Sequence, residues 1–161
     1  MLTYHRPMKY RICKAFEVES GHMLFKHPDR CRYPHGHSRR IEIVLSAEHL
    51  DENDMVCDFK AIKLAIGEFL DQFDHALAIN SDDPIAGPLK QIAGARVIEF
   101  DSIDPTTEVL ARHIFERLAR EIGQGRTYTD RLGNAYRLRT DLTLERVRVG
   151  ETSSSWAEYG L

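Results

Sequence analysis

The sequence holds only three cysteines, Cys13, Cys31 and Cys57, an odd number and too few for the disulfide framework of a small secreted domain. Their scarcity predicts a reducing compartment, the cytoplasm. No long apolar run is present, so no membrane span is expected. The opening Met1-Leu2-Thr3-Tyr4-His5-Arg6-Pro7 lacks the apolar centre of a signal peptide. Neither sign of charge is in excess: the formal net charge is −3, which predicts no nucleic-acid partner and no membrane surface. Internal repeats, low-complexity tracts and linkers are absent as well. The 161 residues are enough for one domain, 1–161, with a core of its own.

Against this sparse background, ligand-type residues are concentrated in one place: His22, Cys31, His35 and His37. His35 and His37 are two apart, so in an extended strand their imidazoles point the same way. A third histidine from the preceding strand can close a three-nitrogen face on one metal, the ligand set of a catalytic zinc whose fourth place is left to water or substrate. Zinc is favoured over iron or copper because nothing nearby suggests redox work. Gly36, between two ligands, permits a close backbone approach. Cys31 has two readings, a fourth ligand that shuts the site or a free thiol. His27 is a further candidate for metal or phosphate, whereas His5, His49 and His113 read as surface or packing residues.

Lys26, Arg30, Arg32, Arg39 and Arg40 surround the cluster, with only Asp29 opposing them between Leu24 and Ile41. A basic rim beside a metal suits an anionic, for instance phosphorylated, substrate. A solvated loop with scattered charge is the other reading. The same arginines favour a thiolate at Cys31. Asp74-His75 can act as a proton relay or can be a surface acid beside a helix-terminal histidine. Glu151 shares the parity of Val147 and Val149, so its carboxylate is expected to face inward, where two N–H donors of a guanidine-like ligand edge would satisfy it.

Period-2 patterns predict strands at Tyr10–Glu19 and Ser38–Ala47, a short strand at Arg96–Phe100 and a last one at Trp156–Tyr159, with residues 20–34 a loop. Tyr136–Val149 is also β-patterned, but its phase slips between Leu144 and Val147, which predicts a bulge or a hairpin edge there. Phe59, Ile62, Ile66, Phe69 and Phe73 repeat at helical spacing after an N-cap at Asp58, and the stripe through Phe59 and Ile66 reads as core. Asp104-Pro105-Thr106-Thr107-Glu108 opens a second helix, running to about Ile122 with Leu110, Ile114 and Leu118 inward. Gly123–Asn134 reads as a loop. The expected class is α+β, an antiparallel sheet with two helices on one face in the order ββααββ.

Six motifs, in order along nearly the whole chain from Tyr10, match a known family: Phe16-Glu17-Val18-Glu19-Ser20-Gly21-His22; Cys31-Arg32-Tyr33-Pro34-His35-Gly36-His37; Val56-Cys57-Asp58-Phe59-Lys60-Ala61-Ile62-Lys63; Phe73-Asp74-His75; Pro105-Thr106-Thr107-Glu108; and Gly150-Glu151-Thr152. The chain resembles the 6-pyruvoyl-tetrahydropterin synthase / 6-carboxytetrahydropterin synthase family, whose members share the T-fold. The resemblance implies zinc on His22, His35 and His37, a general base at Cys31 with Asp74 and His75 as its relay, and a pterin-anchoring acid at Glu151, also described as part of the relay. It places Thr107 and Glu108 at the pterin pocket, and Lys26 and Arg30 then meet the substrate's phosphates. The implied substrate is 7,8-dihydroneopterin triphosphate. The implied assembly is a homo-oligomer with sites between subunits, Cys31 and Glu151 coming from different chains.

The three residues between Cys31 and His35 resemble the carboxy-forming branch, which releases acetaldehyde and triphosphate and feeds queuosine synthesis. A pyruvoyl-forming relative is the alternative of the same kind. Two further readings are a non-catalytic zinc module, closed by one cysteine and three histidines, and a relative that binds pterin without converting it. Three departures from the family pattern stand out: one additional residue in Ala76-Leu77-Ala78-Ile79, a longer stretch from about Gly123 to Arg139, and the extra segment Met1–Lys9.

Overall fold

The computed structural model describes residues 8–161. Of the extra segment Met1–Lys9, residues 1–7, His5 among them, lie outside the described residues. Eight strands and three α-helices follow in order: β1 (Tyr10–His22), β2 (His35–Ala47), α1 (Phe59–Asp71), β3 (Leu77–Asn80), α2 (Ala86–Ala93), β4 (Val97–Phe100), α3 (Thr107–Gln124), β5 (Thr127–Thr129), β6 (Ala135–Arg137), β7 (Thr143–Thr152) and β8 (Ser155–Gly160). Six of the strands form one sheet in the order β4-β3-β1-β2-β7-β8, and β5 and β6 form a separate hairpin.

The α+β class is as expected from the sequence, with three differences of detail. The sheet is mixed rather than wholly antiparallel, because β3 runs parallel to both β1 and β4. A third helix, α2, fills the span between β3 and β4. Only Ala86 of it is buried, so it carries no periodic apolar stripe for a sequence reading to find. The expected loop after Gly123 contains the β5–β6 hairpin. Its turn is knotted on Asp130, whose Oδ1 accepts from the backbone of Leu132 and Asn134, each at 2.9 Å, while Lys60 of α1 holds Oδ2 at 2.5 Å.

Alternation along the strands gives the sheet two unlike faces. Val18, Ile41, Ile43, Leu45, Val147 and Val149 face α1 and α3 and share a core with Ile62, Ile66 and Leu118. Truncating Leu118, which has no exposed surface, to alanine would cost about 2–5 kcal/mol. Leu77, Ile79 and Val97 face the other way and pack with Ala86 and Leu89 of α2. Both long helices begin where the sequence marks them: Asp58 accepts from Lys60 N at 2.7 Å, and Thr106 from Val109 N at 3.3 Å. Phe59 corrects the expected stripe, since at the first position of α1 it is 49% exposed.

The slip in β7 is a bulge: Leu144 lies opposite Leu45 and Arg146 opposite Val44, leaving Glu145 without a partner in β2. A second irregularity leaves Glu151 unpaired between Gly150 and Thr152. Among the described residues nothing pairs with the outer sides of β4 and β8, the two edges of the sheet, and β1 is open along most of its length because it meets β3 only at Gly21 and His22.

Candidate functional site

β1 continues past the predicted end to His22, and β2 begins early at His35, so the expected loop 20–34 loses residues at its start. In this longer ladder His22 lies directly opposite His35, and Ser20 opposite His37. All three imidazoles therefore sit on the core face, at the end of the sheet under the start of α3. Their ligating nitrogens lie within 4.8 Å of one another, and the ring centroids are 4.4, 5.1 and 5.1 Å apart.

Second partners fix which nitrogen two of the rings present. A carbonyl only accepts, so His22 donates from Nδ1 to Pro105 O at 2.8 Å and His35 donates from Nδ1 to Tyr33 O at 2.8 Å. The Nε2 lone pairs then point into the cluster. His22 Nε2 and His37 Nε2 are 3.2 Å apart. Two nitrogens bound to one tetrahedral zinc at about 2.0–2.1 Å would be separated by about 3.3 Å. His35 Nε2 is buried without a protein partner, the orphaned acceptor a metal would satisfy. Burial is the chief force lowering His22 to about 4, against the Pro105 bond, and it lowers His37 as well. Both rings are thus neutral at pH 7, the state a ligand needs. The residues present fit a three-histidine metal site.

Cys31 does not belong to the converging set. It sits half-buried in the single turn Arg30–Arg32, with its carbonyl clipped to Leu24 N at 3.0 Å. His27 is not in the set either; its Nδ1 accepts from Asp29 N at 3.0 Å within the loop. Arg30 is exposed in that turn. Lys26 donates from Nζ to Ser102 O at 3.2 Å, and its backbone N–H donates to Asp104 Oδ2 at 2.8 Å. Asp104 also holds buried Asn80 at 2.8 Å, so one carboxylate ties the 23–34 loop, β3 and the start of α3 together.

Glu151 is 30% exposed on the histidine side, with Oε1 3.9 Å from His37 Nε2 of its own chain. Thr107, buried in the first turn of α3, donates its hydroxyl to Glu151 Oε2. Burial alone would raise the Glu151 carboxyl, but the Thr107 bond and the charges of His37 and Arg39 outweigh it and leave it below the usual glutamate value. Glu108, one residue on, is exposed at the helix start.

Arg39 overturns its sequence assignment. Far from lining a rim, it is 2% exposed and lies beneath the histidines. Nε donates to Ser20 Oγ at 3.0 Å, Nη1 to Thr107 Oγ1 at 3.0 Å and to Gly150 O at 3.4 Å, and Nη2 lies 3.3 and 3.4 Å from the two ring nitrogens of His22. The signal was available: Arg39 has the parity of His35, His37 and Ile41, all of which point inward.

Asp74 and His75 lie elsewhere. They clasp the edge of β1: Asp74 Oδ1 accepts from Glu19 N at 3.0 Å, and His75 N donates to Glu19 O at 2.6 Å. Asp74 Oδ2 takes the His75 Nδ1 bond at 2.8 Å, and that bond, followed by the Glu19 N–H, holds its carboxyl below the usual value. His75, at φ 53°, lines a groove of about 500 Å³ together with Glu19, Ser38, Arg96 and the paired Gly21 and Gly36. Glu19 and Gly21 alternate with Ser20 and His22, so this groove lies mainly on the face opposite the imidazoles, although Ser20 and His37 border it too. Within one chain, then, the metal cluster, Thr107 and Glu151 meet, and the Asp74–His75 pair faces away from them.

No helix of the described residues is long and apolar enough to cross a membrane. The family model described as 6-pyruvoyl tetrahydropterin synthase matches residues 11–160. The chain is 29% identical over 170 aligned residues to the 6-carboxy-5,6,7,8-tetrahydropterin synthase of Aquifex aeolicus (strain VF5), covering 94% of this chain and 98% of that one. Among solved structures, the uncharacterized protein WS1659 from Wolinella succinogenes superposes with a TM-score of 0.72 at 22% identity, covering 95% of this chain and 98% of that one. The 6-pyruvoyl tetrahydropterin synthase of Plasmodium vivax does so with a TM-score of 0.65 at 16% identity, covering 96% and 99%; likeness at these identities speaks for the T-fold alone. With the match spanning almost every described residue, the chain belongs to the 6-pyruvoyl tetrahydropterin synthase family of enzymes.

Proposed function

We propose that this protein is a zinc-dependent lyase converting 7,8-dihydroneopterin triphosphate to 6-carboxy-5,6,7,8-tetrahydropterin, with one water consumed and acetaldehyde and triphosphate released, as a step in queuosine biosynthesis. The observation that carries the reading is the convergence of three histidine ring nitrogens beside the Thr107–Glu151 pair. The name of the Aquifex relative supports the carboxy product over the pyruvoyl one. The three cysteines, all free, suit the cytoplasm.

His22, His35 and His37 would hold the zinc, with Cys31 outside the ligand set. Bound there, the ion supplies Lewis acidity that makes nearby hydroxyls easier to ionise. Glu151 offers its carboxylate to the pterin's paired N–H donors, and Glu108 and Thr107 border that edge. Lys26 and Arg30 meet the triphosphate. Cys31, as thiolate, takes and returns carbon-bound protons, with His75 and Asp74 relaying them. Since His75 opens on the opposite face of its own chain, the relay reaches a Cys31 only if a second copy brings it, and the free edges of β1 and β8 support such assembly into a homo-oligomer.

The test is to incubate zinc-loaded protein with 7,8-dihydroneopterin triphosphate and identify the products by mass. Carboxy-pterin with acetaldehyde is the expected result. A pyruvoyl product would move the protein to the sister activity, and unchanged substrate with zinc bound would overturn the transfer of catalytic roles.

A further inference from the structure

Arg39 bridges the two halves of the site from beneath, where they also meet directly through Glu151 Oε1, 3.9 Å from His37 Nε2. On one side its Nη2 lies against His22, 3.3 and 3.4 Å from the ring nitrogens. On the other, Nη1 donates to Thr107 Oγ1 at 3.0 Å. That bond occupies an acceptor site of the hydroxyl, and the single hydroxyl hydrogen goes on to Glu151 Oε2. The direction of the chain is therefore set from Arg39 through Thr107 to Glu151. Nη1 also reaches Gly150 O at 3.4 Å, the carbonyl immediately before the unpaired Glu151. The guanidinium thus grips the Glu151 segment by backbone and by side chain.

A buried arginine is costly, and this one has no direct carboxylate contact to offset its charge. Serving only to fill space, the position would suit the apolar residues that surround it, Val18, Ile41 and Val149. What arginine adds is a planar fork of fixed dimensions, which lysine cannot reproduce. We propose that Arg39 is a positioning residue, a strut that fixes the Glu151 carboxylate relative to the His22–His35–His37 centre and so sets the distance from the anchored pterin edge to the metal. The inference rests on the pterin reading above. Its physical basis is that a reacting group displaced by an ångström loses much of its rate while the fold survives.

The experiment compares zinc-loaded wild type with Arg39→Lys, Thr107→Val and the double variant. Zinc content and Tm are measured first, then affinity for neopterin from its fluorescence, then kcat and KM on the triphosphate. Each single variant should bind zinc in full, weaken neopterin about tenfold and lower kcat about 100-fold. The double variant should be no worse than either single one, because all three break the same strut. Losses that multiply in the double variant would overturn the strut, and so would unchanged neopterin affinity in folded, zinc-loaded singles. Should Arg39→Lys fail to fold, Thr107→Val, which leaves the buried charge in place, decides by the same tenfold criterion. Wild type that binds zinc but no neopterin would overturn the pterin reading and this inference together. Wild-type binding undiminished in the variants would overturn only the role of Arg39.

Discussion

His22 donates from Nδ1 to the carbonyl oxygen of Pro105 across 2.8 Å. The bond joins the last residue of β1 to the residue before the α3 cap, and it aims the opposite nitrogen at His37. Orientation by a backbone carbonyl raises the basicity of a ligand and removes the entropy of ring rotation. Zinc should therefore bind a ready-made site. At a hundredfold excess over Kd it should raise the Tm of metal-free protein by about 5–10 °C. His35→Ala should abolish both the shift and the bound metal, as read by thermal unfolding and metal analysis.

Acid should destabilise the metal-free protein in a defined window. Burial is the main cause lowering His22 from 6.5 to about 4, and it also lowers His37 and His113. The unfolded chain takes up protons below about pH 6.5 that the folded one resists. Stability from these groups is thus complete above that pH and declines as pH falls toward 4, where His22 is protonated in both states. His113 packs among the rings of Phe69, Phe73 and Phe100. His113→Asn should make the decline in Tm shallower, and an identical slope would remove His113 from the account.

Cys31→Ala distinguishes a working thiol from a fourth ligand. With Cys31 outside the converging nitrogens, the variant should keep its zinc and its Tm while kcat falls by about 10²–10⁴-fold. Loss of zinc would instead favour a closed module in which the thiolate completes the three-histidine set.

Mixing inactive variants tests whether the relay crosses between copies. Cys31→Ala and His75→Ala chains, unfolded together and reassembled at equal ratio, should regain about a quarter of wild-type activity, since one site in four pairs an intact thiol with an intact imidazole. Activity no higher than that of either variant alone would place both groups in one chain.

Much of this was legible in the residues. The three histidines, the Asp58 cap, the opening of α3 within 104–108 and the slip in β7 each have a local signature, and each lies where that signature put it. Helix α2 was hidden because it buries so little of itself, and the anchoring of the Asp130 turn because Lys60, which ties it to α1, is far away in the sequence. Arg39 was misplaced by its neighbours: five basic residues close together in the sequence read as one rim, although strand parity separates Arg39 from Arg40. The opposed faces of His75 and His37 depend on how β3 enters the sheet, which no local pattern encodes.

Glu145 is a residue the ladder does not need. Its neighbours, Leu144 and Arg146, already lie opposite consecutive residues of β2, so excising it would leave Val147, Val149 and Glu151 on the side they now occupy. Three residues on there is no such slack: losing Arg148 would turn Glu151 to the far side of the sheet. The strand is thus tolerant of drift in length at one end and intolerant at the other. Among descendants of this chain, gains and losses of single residues should collect before Val147, while the count from Val147 to Glu151 stays constant.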